Sequence, residues 1–283
     1  MIPPAKRAAA VTVAAIALMA AGLFLRLQSA RQAHEPDKNF HWQLSRSIVQ
    51  SGEMAGGEAY VVKDFLRKPP LLPGLLSLWK NPDAYLTTQA VISVATAVPI
   101  FFLGYFGGGA LVGLVTLALW CFWGPAIVLC GGIYQEPLFG LLFAAGLVAG
   151  MLALEKRHVG LIAASGLSLS LAELTRPVLL PFALLVVGLL AVQAVRDRQA
   201  RKRLAAMTLV FAAGYFLPVG VYHAARSEHG LTWVYDRKGV TLITATIPDG
   251  RAFDFLREHK PENWSDMTDA ERDHSSSGCS SSA

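Results

Sequence analysis

Charged residues are scarce: they make up 16% of the 283 residues, while 53% are hydrophobic and the mean hydropathy is +0.43. A soluble domain carries about 25% charged residues, so this shortage argues against a soluble globular enzyme. Cysteine is scarcer still. Cys121, Cys130 and Cys279 show neither metal-ligand spacing nor a disulfide framework, and the first two, in or beside an apolar run, read as small hydrophobes. No phosphate-cradling glycine loop ending in lysine is present, because Gly107-Gly108-Gly109 lacks the rest of that motif, which argues against a nucleotide-driven pump. Nor does the net charge of +5 describe a nucleic-acid surface. The basic residues sit in short clusters between apolar runs, the pattern of a membrane topology, and no nucleic-acid partner is expected. Convincing internal repeats are missing too, and with them the paired interrupted spans of a solute transporter.

What the chain does have is apolar runs long enough for a bilayer. The first, Ala8–Leu25, follows Lys6 and Arg7. It is longer than the 7–15 residues usual in the core of a secretory signal, and more runs follow it. They read as Thr87–Phe106, Ala110–Cys130, Pro137–Leu154, Val159–Ala172, Val178–Val195 and Leu204–Tyr222. Val159–Ala172 is short, so its end must be buried by protein or meet a polar cavity. The expectation is an all-α polytopic membrane protein with about seven transmembrane helices. With Lys6 and Arg7 cytoplasmic, alternation puts Lys156-Arg157 and the basic stretch Arg196–Arg203 on the same side, whereas the opposite short loops contain only Arg176. This positive-inside pattern predicts a cytoplasmic N-terminus in the inner (plasma) membrane.

The first extracytoplasmic loop, 26–86, is long. Phe40, Leu44, Ile48 and Val49 give Asn39–Val49 the spacing of an amphipathic helix lying on the membrane surface. The apolar, proline-started Pro69–Trp79 is too short to span and reads as a second interfacial helix. Residues 1–222 form the expected transmembrane module and 223–283 an extracytoplasmic tail. That tail holds about half of all the acidic residues, a short candidate strand at Leu242–Ile247 and a serine-rich end, His274–Ala283, of disordered composition.

Four polar groups have no evident use in an apolar fold. Asp37, in His34-Glu35-Pro36-Asp37, is placed for a general base or metal ligand just outside the bilayer, or for a plain turn beside Pro36. Arg67 and Lys68 precede the second interfacial helix, where a cationic pair holds a lipid phosphate or simply attracts headgroups. Glu136 starts the fourth run and complements its helix dipole or faces a cavity. Glu173 and Arg176, three apart, either pair with each other or line a cavity, since charges at membrane depth face a bundle interior. By parity all of them fall on the extracytoplasmic face. Carboxylates and cations gathered there suit an anionic lipid-linked substrate.

The ordered set of Pro36-Asp37, the amphipathic Trp42–Ser51 segment with Ser51-Gly52-Glu53, Lys68-Pro69-Pro70-Leu71, Glu136-Pro137-Leu138 and Thr175-Arg176-Pro177 resembles the C-type membrane glycosyltransferases. The nearest branch is that of the protein O-mannosyltransferases, aminoarabinose transferases and lipopolysaccharide-sugar transferases, and the likeness covers roughly residues 8–245. The resemblance implies a polyprenyl-phosphate-linked sugar donor and transfer with inversion at the outer membrane face. It makes Asp37 the base that deprotonates the hydroxyl of a lipid, glycan or protein acceptor, and puts Lys68 beside the donor phosphate. By position Arg176 and Arg67 join Lys68 as phosphate partners, with Glu136 and Glu173 as cavity acids. No cofactor is named by the sequence, and a divalent cation on Asp37 and Glu136 is one option. Lys38 and Arg67 replace acids found in relatives, which argues against aminoarabinose as the sugar. Such enzymes usually have further spans and often a C-terminal soluble domain, so the chain reads as an N-terminal portion. The rival expectation is a non-enzymatic protein that binds or translocates the same polyprenyl-phosphate sugar.

Overall fold

The computed structural model describes residues 4–33, 36, 39–51 and 69–227. Met1–Gly220 forms one compact unit; the second, Val221–Ala283, is described only to Ser227, so Leu242–Ile247 and His274–Ala283 lie outside the described residues. All regular structure among the described residues is helical. In order it comprises α1 (Pro4–Arg31), α2 (Phe40–Ser51), α3 (Leu71–Leu76), α4 (Pro82–Ala95), α5 (Ala97–Cys121), α6 (Gly124–Val128), a 3-10 turn (Leu129–Gly131), α7 (Glu136–Lys156), α8 (Val159–Thr175), α9 (Leu180–Arg196) and α10 (Arg201–Ser227). Among the described residues, four helical stretches are long and apolar enough to cross a membrane: Lys6–Arg31, Pro82–Cys121, Glu136–Lys156 and Arg201–Ala224. The apolar helices α8 and α9 are shorter. Leu111, Leu119, Leu209 and Leu217 stand 66–75% exposed, an arrangement that only a lipid-like surrounding makes favourable over such a surface.

The stretch Pro82–Cys121 is not one rod. Asn81 caps its start by accepting the Asp83 N–H at 2.8 Å, with Pro82 in the first turn. At Gly108 and Gly109 the backbone leaves helical geometry, and Gly109 takes φ +78°, a value that glycine alone adopts at no steric cost. The chain then doubles back. Thr116 Oγ1 donates to the Ile100 carbonyl at 3.2 Å, although sixteen residues of continuous helix would separate them by about 24 Å. Gly104 and Gly113 permit the close return, since a Cβ on either would collide with Thr116 or the Phe101 ring.

α1 packs along this hairpin, with Ala15, Leu18 and Met19 against Ala97, Leu117 and Cys121. A second core gathers Ala30, Trp42, Leu72, Tyr85, Ile133 and Leu138. It brings α2 and α3 onto one end of the bundle, where α1 stops and α4 and α7 begin. α2 is amphipathic as its spacing predicts, and its buried face lies on protein through Trp42 and Leu44. Arg46 stacks 4.3 Å over the Trp42 ring and donates to the carbonyls of Leu76 and Trp79, satisfying acceptors left by the end of α3.

α7 and α8 form an antiparallel pair through small residues. Ser165 and Ser168 donate to the carbonyls of Gly146 and Leu142, both at 2.8 Å. Gly166 of α8 meets Gly214 of α10 so closely that a Cβ on Gly166 would stand 2.6 Å from the Phe211 carbonyl oxygen. Such close backbone approach is the usual basis of helix association in an apolar medium.

Candidate functional site

The end of the bundle that carries the second core also carries Glu136 at the start of α7 and Glu173 and Arg176 at the end of α8, whereas Glu155 and Lys156 lie at the other end of α7. Gln135 and Pro137 start α7 and place Glu136 in its first turn, where a carboxylate complements the helix dipole. Pro177 ends α8 from outside, because the residue before a proline is pushed out of helical geometry. Arg176 accordingly has extended backbone, φ −145° and ψ 114°. That turn directs its side chain across to α7, and Arg176 Nη1 donates to Glu136 Oε1 at 3.2 Å. The pair is partly open, with side-chain exposures of 44% for Arg176 and 32% for Glu136. The second carboxylate oxygen, Oε2, is buried and has no partner among the described residues.

Glu173 does something different. It is 4% exposed, and its carboxylate accepts the Leu179 N–H at 2.5 Å and lies beside the Tyr215 hydroxyl. Leu179 is the N-cap residue of α9 and supplies no side-chain acceptor of its own. Glu173 therefore caps the next helix from the end of the preceding one. The end of short α8 is buried by protein, as Ala172, Leu174 and Thr175 also show. Glu173 and Arg176 do not pair with each other as their spacing allows; the acid serves α9 and the base reaches α7.

Near α1 the same end holds a cavity of about 450 Å³ lined by Leu27, Ala30, Arg31, Ala33, Asp83 and Thr87. Asn39 Nδ2 donates to the Ile133 carbonyl at 3.1 Å, and Gln89 spans the neighbouring turn. Its amide donates to the carbonyls of Leu129 and Gly132 and accepts the Tyr134 N–H. Both contacts pin the segment that leads into Glu136.

Sequence reasoning missed Arg26. It stands directly after the Ala8–Leu25 run, at the start of the loop that the sequence predicts over 26–86, but α1 continues to Arg31 and Arg26 is wholly buried. Its Nε donates to Ser93 Oγ at 2.8 Å, Nη1 to the carbonyls of Gly22 and Cys121, and Nη2 to that of Trp120. The last two belong to the end of α5, where a cation complements both the orphan carbonyls and the dipole. The one sequence signal was an arginine abutting an apolar run, the kind of charge that must find partners inside a bundle.

Asp37, Arg67 and Lys68 lie outside the described residues. Among the described residues no group of three or more His, Cys, Asp or Glu side chains is arranged to hold a metal ion, so Glu136 does not belong to such a cluster there. No protein-family model, curated protein or solved structure matches the chain.

Proposed function

We propose that the chain is a membrane glycosyltransferase of the C type, taking sugar from a polyprenyl-phosphate-linked donor on the extracytoplasmic face of the inner membrane. The observation that carries the reading is the half-open Arg176–Glu136 pair. Arg176 has one guanidinium nitrogen committed to Glu136, and among the described residues its other N–H groups find no acceptor. A cation in that state is available to a phosphate. The arrangement of the chain supports the topology: each arm of the α5 hairpin counted as a crossing gives seven. Lys6, Arg7, Lys156, Arg157 and the basic Arg196–Arg203 stretch then share the cytoplasmic end.

In this reading the acceptor hydroxyl loses its proton to Asp37 and its oxygen attacks the anomeric carbon as the carbon–phosphate oxygen bond breaks. The configuration inverts and the electron pair leaves on the lipid phosphate. Lys68, Arg67 and Arg176 stabilise that growing charge, so a separate general acid is unnecessary. Asn39, two residues beyond Asp37, is held at Ile133, in the segment that leads into Glu136. Glu136 orients Arg176 and leaves one buried oxygen for an acceptor hydroxyl or a cation. Glu173 is a helix cap in this scheme and takes no part in the chemistry.

The second reading, binding or translocation of the same donor without transfer, uses the free donors of Arg176 equally well. Purified chain incubated with a radiolabelled polyprenyl-phosphate sugar separates the two. Binding that Arg176→Gln weakens, together with labelled acceptor that Asp37→Asn abolishes, supports transfer. Binding without any labelled acceptor supports the second reading.

A further inference from the structure

The opposite end of the bundle carries a cavity that topology alone does not require. It lies between the end of α7, the end of α9 and the start of α10, and has a volume of about 300 Å³. Arg157, Arg196 and Arg203 line it, one from each of three separate segments. Leu154, Leu204 and Met207 form an apolar part of the same wall. Asp197 is the one acid of the lining, and its Oδ1 accepts the N–H groups of Gln199 and Ala200 at 3.1 and 3.0 Å. It caps the approach to α10 and forms no ion pair with the three arginines among the described residues. Arg157 holds a left-handed backbone, φ 51° and ψ 42°, and among the described residues no other non-glycine residue has positive φ. That conformation is the left-handed C-cap that ends α7, closed by the His158 N–H on the Ala153 carbonyl at 3.0 Å.

We propose that this cavity is a binding site for the phosphate headgroup of an anionic membrane phospholipid, with the glycerol and first acyl carbons against Leu154, Leu204 and Met207. Setting topology requires only a count of positive charges on one side. It does not require three arginines from three separate segments to line one hollow, while neighbouring Arg198, Arg201 and Lys202 stay outside it. Guanidinium forks suit phosphate oxygens, and basic hollows between membrane helices at the cytoplasmic face suit anionic headgroups. The mixed wall argues for an amphiphile over a free phosphate compound. α7 separates this site from Glu136 by its 21 residues, about 30 Å of helix. The proposal therefore rests on the membrane reading and its orientation, and it stands whether or not the other end transfers sugar.

The full chain in detergent, titrated with phosphatidylglycerol or with phosphatidylcholine and examined by native mass spectrometry, tests it. One tightly held phosphatidylglycerol is expected, with phosphatidylcholine bound at least tenfold more weakly. Each of Arg157→Gln, Arg196→Gln and Arg203→Gln is expected to weaken phosphatidylglycerol roughly fivefold, the usual effect of one basic residue at an anionic surface. Arg198→Gln and Lys202→Gln, outside the cavity, should leave binding within twofold. All five side chains are exposed, so unchanged circular dichroism is expected throughout. Equal binding of the two lipids, or equal losses from the outside variants, overturns the proposal. Displacement of the lipid by millimolar inorganic phosphate overturns the lipid assignment in favour of a soluble phosphate ligand.

Discussion

Arg176 Nη1 donates to Glu136 Oε1 at 3.2 Å, joining the end of α8 to the start of α7 across 40 residues of sequence. Both side chains remain partly exposed, and such pairs contribute only about 0–1 kcal/mol to stability. Glu136→Gln and Arg176→Gln should therefore melt within a few degrees of the parent in detergent. Donor binding should fall at least tenfold in Arg176→Gln and less in Glu136→Gln, measured by filter binding of a labelled polyprenyl-phosphate sugar. A large loss of melting temperature with unchanged binding would make the pair structural.

Glu173 should behave in the opposite way. Its carboxylate holds the Leu179 N–H at the start of α9, and a buried amide left without its acceptor costs about 1–3 kcal/mol. Glu173→Ala is expected to lower the thermal midpoint clearly, and Glu173→Gln, which keeps one acceptor oxygen, to lower it less. An unchanged midpoint in Glu173→Ala would show that the cap is dispensable.

Arg26 makes four hydrogen bonds from a wholly buried position. Lysine has a compact head without the planar fork and cannot reach Ser93, Cys121 and Trp120 together. Arg26→Lys should cost about 2 kcal/mol and Arg26→Ala more, because buried carbonyls then lose their donor. Denaturant or thermal unfolding in detergent measures this, and a midpoint equal to the parent's in Arg26→Ala would refute the clamp.

Two glycines in apolar helices should respond with opposite sign to alanine. At Gly166 the added carbon would meet the Phe211 carbonyl of α10, so α8 and α10 must separate and stability should fall. At Gly188 of α9 the added carbon meets nothing within 4 Å, and alanine, the better helix former by about 1 kcal/mol, should be neutral or stabilising. Equal effects at both positions would contradict the close crossing of α8 and α10.

The all-helical character was legible because apolar runs carry their own punctuation, but the expected run Ala110–Cys130 ends as a helix at Cys121, and Gly124–Val128 forms a short helix of its own, started by Pro125. Glu155–His158 separates α7 from α8, and Gly107–Gly109 marks the point where the Pro82–Cys121 stretch doubles back. Side-chain partnerships were less legible. The spacing of Glu173 and Arg176 permits an i,i+3 pair on a helix, but Pro177 takes Arg176 out of helical geometry and sends it to α7. Arg26 was missed because its acceptors are carbonyls of Trp120 and Cys121, more than ninety residues away, and a main-chain acceptor leaves no trace in residue type. Glu136 was legible from its place beside Pro137, since an acid in a first turn follows from local rules alone.

Sugar transfer itself tests the central claim most directly. The purified chain is mixed with a labelled polyprenyl-phosphate sugar and membrane acceptors, beside Asp37→Asn and Arg176→Gln. The account predicts transfer by the parent, none by Asp37→Asn with donor binding kept, and a raised KM for donor in Arg176→Gln. Transfer undiminished in Asp37→Asn, or donor that fails to bind the folded parent chain, would contradict it.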